Sequence, residues 1–125
     1  MTMADEITIS CSMKLSNGEL KDNRSAVNVK ATQSAQASLG GVQAIGTTEE
    51  AIAVGDLAAP GWAYIRNLGP TNYVEIGLMP DATFYPMIKL AAGDAPCLIK
   101  IASGVTLYAK AHTAGVKIDK LILDA

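Results

Sequence analysis

What most constrains this chain is an alternation of apolar and polar side chains at a period of two, broken at short intervals. It is clearest in residues 61–111, GWAYIRNLGPTNYVEIGLMPDATFYPMIKLAAGDAPCLIKIASGVTLYAKA. Alternating runs there are separated by Gly, Pro, Asn and Asp. Period-two alternation marks strands with one dry face, and those four residues reverse a chain. The stretch predicts antiparallel strands joined by tight turns. It holds no catalytic cluster.

The rest of the chain follows the same rule. Ile7, Ile9, Cys11, Met13 and Leu15 alternate with Thr8, Ser10, Ser12 and Lys14, which predicts a half-buried strand ending at a Ser16-Asn17-Gly18 turn. Residues 19–25 are polar and read as a loop, and Ala26–Ala37 as a long strand with a small apolar face. A face that small pins register weakly, so the strand is expected at an edge or against a neighbouring chain. Gly40-Gly41 reads as its end, with a further strand over 42–48. Thr48–Leu57 is read as a strand rather than a helix, because Gly55 and Pro60 leave too little length for a helix.

Gly61–Leu68 and Tyr73–Leu78 read as a hairpin across Gly69-Pro70-Thr71-Asn72. Pro86 lacks an N–H, so the strand over 84–90 is expected at an edge or bulge. In the last strand Val116 and Ile118 are out of phase with Leu121 and Leu123, which predicts a bulge near Asp119-Lys120. About eight to ten strands with turns at this spacing point to an all-β fold, an antiparallel β-sandwich, jelly roll or related barrel.

A length of 125 residues suits a single domain, 1–125, with residues 1–40 as a strand or arm for a neighbouring subunit. Aromatics are few: Trp62, Phe84 and four tyrosines. The core is therefore expected to be thin and aliphatic. A net charge of −2 argues against nucleic acid, whose phosphates call for a dense basic surface. No apolar run approaches the length of a membrane helix. The start MTMADEITIS lacks a basic and then apolar leader, which predicts synthesis in the cytosol. Cys11 and Cys97 are read as buried free thiols, with a bridge only if their strands face each other.

No chemistry is expected. His112 is the only histidine; it sits in a predicted loop without the partners a triad or zinc site needs. Glu49-Glu50 is the one adjacent acidic pair, and neighbours on a strand point to opposite faces. The residues therefore predict no enzyme, no cofactor and no metal. The outward set of Tyr64, Arg66, Tyr73, Glu75, Tyr85, Lys89, Lys100, Tyr108 and Lys110 is either a solvated sheet face or a contact surface. Tyr and Arg favour interfaces, so Trp62, Tyr64, Arg66, Tyr73, Tyr85 and Tyr108 are the candidate partner contacts.

The runs GWAYIRNLGPTNYVEIG, FYPMIKLAAGDAPCLIKIA and LYAKA resemble a small structural protein of tailed-phage virions. The likeness covers about residues 45–123 and leaves out the first 40 residues. It implies a jelly-roll-like subunit and a capsid decoration (cement) protein that stabilises the head between major capsid subunits. It further implies a homo-oligomer, a trimer by preference, made in the bacterial host cytoplasm and placed on the capsid surface of the virion. No binding residues carry over, since the family has no chemical motif. The alternatives are a carbohydrate- or receptor-binding appendage, whose tyrosines would stack on sugar rings, and a neck or tail accessory protein.

Overall fold

The computed structural model describes residues 5–33 and 36–125. Ten strands run β1 (Ile7–Asn17), β2 (Leu20–Ala31), β3 (Ser38–Ile45), β4 (Glu50–Ala51), β5 (Pro60–Asn67), β6 (Val74–Leu78), β7 (Tyr85–Leu90), β8 (Cys97–Lys100), β9 (Tyr108–Ala111) and β10 (Val116–Asp124). Every pairing is antiparallel, and no helix occurs among the described residues. The all-β expectation holds. The chain divides into two compact units, residues 1–36 and 37–125.

The first unit is the hairpin β1–β2. Gly18 at the first loop position has φ 60°, as a two-residue type II′ connection requires. The predicted loop over 19–25 is instead mostly strand: Leu20 pairs with Asn17 and Ser25 with Ser12. Its polar residues are what an uncovered ribbon tolerates. The strand ends at Ala31 rather than at residue 37; residues 1–4 of the expected tail and 34–35 of the expected strand lie outside the described residues. The register slips between Ile9 and Cys11. There Asn28 takes φ 55°, and its N–H donates to Ser10 Oγ at 3.0 Å.

The second unit holds two four-stranded sheets, ordered β3-β10-β5-β8 and β4-β9-β6-β7. Their inward residues form one cluster, with Ile45, Ile65, Ile118 and Ile122 from the first sheet and Val74, Ile76, Ala109 and Leu90 from the second. No aromatic side chain is fully buried among the described residues. The thin aliphatic core read from composition is present. Burying each of these isoleucines contributes roughly 1.5–3 kcal/mol.

Several sequence expectations are corrected here. β5 and β6 are not a hairpin: β5 pairs with β10 and β8, and β6 with β7 and β9. The segment between them crosses from one sheet to the other. Asn67 shapes that crossing, its Nδ2 donating to the carbonyls of Asn72 and Leu90, both at 2.9 Å, while its Oδ1 accepts from the N–H of Gly69 at 2.7 Å. Gly40-Gly41 does not end a strand; β3 runs through both glycines, paired with Leu121 and Lys120 of β10. Of 48–57 only Glu50–Ala51 is strand.

No bulge separates Asp119 from Lys120. β10 keeps strict alternation, with Ile118, Lys120 and Ile122 buried and Leu121 exposed. The out-of-phase leucines point outward, because a lysine occupies the inward position between two isoleucines. Pro86 behaves as predicted: β7 is an edge strand, and the register shifts between Ile76 and Gly77, opposite Pro86.

Candidate interaction surfaces

The six candidate contact residues fall into two groups. Trp62, Tyr64 and Arg66 lie on the outer face of β5, the inner face being Ala63, Ile65 and Asn67. Tyr85 and Tyr108 belong to β7 and β9 of the other sheet, and Tyr73 immediately precedes β6.

Register brings further residues to the first group. Tyr64 lies opposite Leu98 of β8 and Leu121 of β10. Arg66 lies opposite Asp119, which in turn faces Val42 of β3. Val42 is 60% exposed, Leu121 43% and Leu98 38%. Lys100 is opposite Trp62, with Nζ 5.9 Å from the indole ring, near the outer reach of a cation–π contact. Trp62 Nε1 is buried and makes no hydrogen bond. Leu121, Tyr64 and Leu98 thus make one apolar and aromatic row across β10, β5 and β8, with Asp119 and Arg66 in a neighbouring row, where Asp119 parts Val42 from Arg66, and Lys100 beside Trp62. Charges at the rim and aromatics with aliphatics at the centre are the composition of a protein contact.

The second sheet presents a different surface. Glu75 lies between Lys89 and Lys110 in register, a ladder of alternating charge. Tyr73 stacks on His112 with centroids 4.5 Å apart and planes 9° apart, and Lys89 Nζ sits 4.2 Å from the Tyr73 ring centre. Tyr85 donates its hydroxyl to Asp81 Oδ2 at 3.1 Å. Tyr73 and Tyr85 are engaged by their own chain beside this ladder, Met87 on the edge strand β7 is 70% exposed, and His112 is exposed.

The sequence reading did not count Val42, Leu98 and Leu121 among the contacts. Alternation in 97–101 already turns Leu98 outward beside Lys100, as the structure has it, and the phase of Leu121 was the other signal.

Chemically the surfaces are quiet. Among the described residues no group of three or more His, Cys, Asp or Glu is placed to hold a metal ion. A cavity of about 260 Å³ opens among Ile52, Val54, Pro60, Ile101, Leu107 and Ile122, and no titratable side chain lines it. Both cysteines are free. Cys11 is exposed rather than buried. Cys97 is half-buried, and burial pushes its thiol above the ordinary range, which disfavours the nucleophilic thiolate. No helix of the described residues is long and apolar enough to cross a membrane. No protein-family model, no curated protein sequence and no solved structure matches the chain.

Proposed function

We propose that this chain is a structural protein of a tailed-phage virion, a capsid decoration protein that binds between major capsid subunits and performs no catalysis. The observation that carries the reading is the contrast between the two outer sheet faces. One carries the Lys89–Glu75–Lys110 ladder, with Tyr85 and Met87 exposed on its edge strand β7; the other exposes Val42, Leu98 and Leu121 beside Trp62 and Tyr64 across three adjoining strands. The likeness of residues 45–123 to small virion proteins supplies the particle. Two four-stranded antiparallel sheets over one shared core suit the jelly-roll-like β-sandwich that the likeness implies. A cement subunit calls for a rigid body and an adhesive face, and both are accounted for without any reactive group.

The test is co-sedimentation of the purified chain with heads assembled from the major capsid protein encoded alongside it. Binding to assembled shells, with none to unassembled capsid subunits and none on a glycan array, supports the reading. Failure to bind shells, or glycan binding by the isolated chain, overturns it in favour of an appendage lectin.

A further inference from the structure

The hairpin β1–β2 closes on Asn17-Gly18-Glu19-Leu20, and Asn17 is the one asparagine of five that is followed by glycine. All four residues are exposed. Gly18 takes φ 60°, and nothing lies within 4 Å of where its Cβ would stand. Among the described residues, neither the Asn17 side-chain amide nor the Gly18 N–H makes a hydrogen bond. The other asparagines differ. Arg24, Val29, Leu68 and Tyr73 follow them, and the Asn67 amide is held by three backbone groups.

We propose that Asn17-Gly18 is a self-modification site, where the side-chain amide is lost without an enzyme and the turn ages to isoaspartate. The Gly18 backbone nitrogen loses its proton to hydroxide and attacks Asn17 Cγ. A new C–N bond forms, the bond from Cγ to the side-chain nitrogen breaks, and that nitrogen leaves as ammonia after taking a proton from water. The product is a cyclic imide, which water opens at either carbonyl. Opening at the side-chain carbonyl gives aspartate. Opening at the main-chain carbonyl gives isoaspartate, with the chain rerouted through Cβ and Cγ. In sum, one water is consumed and one ammonia released.

Glycine makes the attack feasible. With no Cβ, its nitrogen approaches Cγ unhindered and the backbone turns freely. Ring closure requires Asn17 to leave the extended conformation in which it pairs with Leu20. That opening needs little here: the pair is the last rung before the turn, and among the described residues β1 has no strand neighbour but β2. An isolated hairpin is marginal in water, and such ends open first.

The product alters the turn. Isoaspartate adds one atom to the main chain beside a two-residue loop, and loop length sets hairpin register. The Asn17–Leu20 rung is lost, and the tip gains a negative charge beside Glu19. The reaction runs one way, so the hairpin loosens with the age of the chain. It involves neither sheet of the second unit and stands whether or not the protein binds a capsid.

Incubation of the purified full chain at neutral and at mildly alkaline pH tests it. Trypsin cuts after Lys14 and Lys21 and releases residues 15–21, with Asn17 as their only asparagine. Mass spectrometry then follows the amide-to-acid change there and at Asn23, relative to the unaged chain. Asn17 is expected to convert at least about tenfold faster than Asn23, which is exposed on the same hairpin but precedes an arginine whose Cβ hinders the attack. The rate rises with pH, and isoaspartate, detected with an isoaspartate methyltransferase, exceeds aspartate.

Gly18→Ala separates this chemistry from simple fraying. Alanine at φ 60° strains and loosens the turn, yet its Cβ crowds the attacking nitrogen, so conversion is expected to slow about tenfold. Fraying alone predicts the opposite. Hydrogen exchange at Leu20 reads the loosening in the aged chain, with Asn17→Asp as the control that keeps a normal backbone. Conversion of Asn17 no faster than of Asn23, a Gly18→Ala rate at or above the native one, or unchanged Leu20 protection in isoaspartate-bearing chains overturns the proposal.

Discussion

Lys120 donates its ammonium to Gln43 across the β10–β3 pair, Nζ lying 2.7 Å from Oε1 and 2.6 Å from the carbonyl oxygen of Ala53. The lysine is 6% exposed and sits between Ile118 and Ile122 on the inward face of β10. Gln43 Oε1 also accepts from the N–H of Ala53 at 3.0 Å, while its Nε2 donates to the carbonyl of Ala51 at 3.1 Å. One side-chain amide thus ties β3, the segment after β4, and β10 together.

Burial lowers the pKa of Lys120 from its ordinary value. The folded state then binds fewer protons than the unfolded state in the window between the lowered pKa and about 10.4. Unfolding free energy from this group therefore rises with pH through that window, and the cost of burying the ammonium is fully present below it. Lys120→Met removes the titration. The stability of the native chain relative to Lys120→Met is expected to climb as pH increases from neutral toward 10. Urea titrations of both proteins across that range check the slope; a flat or falling difference contradicts it. At neutral pH, Lys120→Ala is expected to cost about 1–3 kcal/mol through the unpartnered Ala53 carbonyl.

Gly77 stands where β6 and β7 come closest. A Cβ there would overlap the Tyr85 carbonyl oxygen and lie 2.9 Å from Pro86 Cα, and backbone cannot rotate aside as a side chain does. Gly77→Ala must open the bulge opposite Pro86 and is expected to cost about 3 kcal/mol, the upper part of the usual overpacking range. Gly40 of β3 is the control, since the nearest atom to the corresponding position is a Leu121 methyl at 3.5 Å, an ordinary van der Waals contact. Gly40→Ala is expected to change stability by less than about 1 kcal/mol. Denaturant midpoints for the two variants test the contrast.

The strand content and the aliphatic core were legible because alternation and turn residues are local. Pro86 announced its edge and bulge through a missing donor, which is also local. Partner choice was not legible. The turn residues Gly69 to Asn72 suit a hairpin, yet they serve a crossing between sheets, because the alternative pairing of β5 with β10 buries Ile65 beside Ile118 and Ile122. Leu121 looked like an inward residue displaced by a bulge. Only the partners of Lys120 explain why a lysine takes the inward place and a leucine the outward one. On the contact surface Trp62, Tyr64 and Arg66 were visible as outward residues of one run. That Val42, Leu98 and Leu121 join them, and that Tyr73, Tyr85 and Tyr108 do not, depends on strand order, which no single run encodes.

Asn67 tests whether the crossing, rather than the flanking strands, fixes the sheet arrangement. It is 5% exposed, and all three of its hydrogen bonds go to backbone. Asn67→Leu keeps the approximate volume and leaves two carbonyls and one N–H short of a partner. The expected cost is about 2–4 kcal/mol, from penalties of roughly 1–3 kcal/mol per buried group with partial relief by water. Asn67→Asp is expected to be at least as harmful, since a carboxylate would face the Asn72 and Leu90 carbonyls. Thermal unfolding of both variants provides the comparison. A shift no larger than that of an exposed-site control such as Lys117→Ala would place the determinant elsewhere.

The contrast between the sheet faces makes the last prediction a comparison within one molecule. If the β5 face meets the shell, Tyr64→Ala removes an aromatic flanked by Leu98 and Leu121, and Arg66→Glu reverses a rim charge beside Asp119. The first truncates a central anchor and is expected to weaken shell binding by about 1–3 kcal/mol, or roughly 5- to 150-fold. The second acts mainly on association rate and salt dependence, as rim charges do. Tyr108→Ala and Lys110→Glu on the other sheet are expected to leave shell binding within about twofold, since Lys110 belongs to the charge ladder around Glu75 and Tyr108 is its neighbour on β9. Co-sedimentation isotherms at two salt concentrations separate the cases. Equal losses from both faces would mean that a subunit touches the shell or its neighbours on both sides. A loss confined to Tyr108 and Lys110 would move the adhesive face to the sheet that is charged.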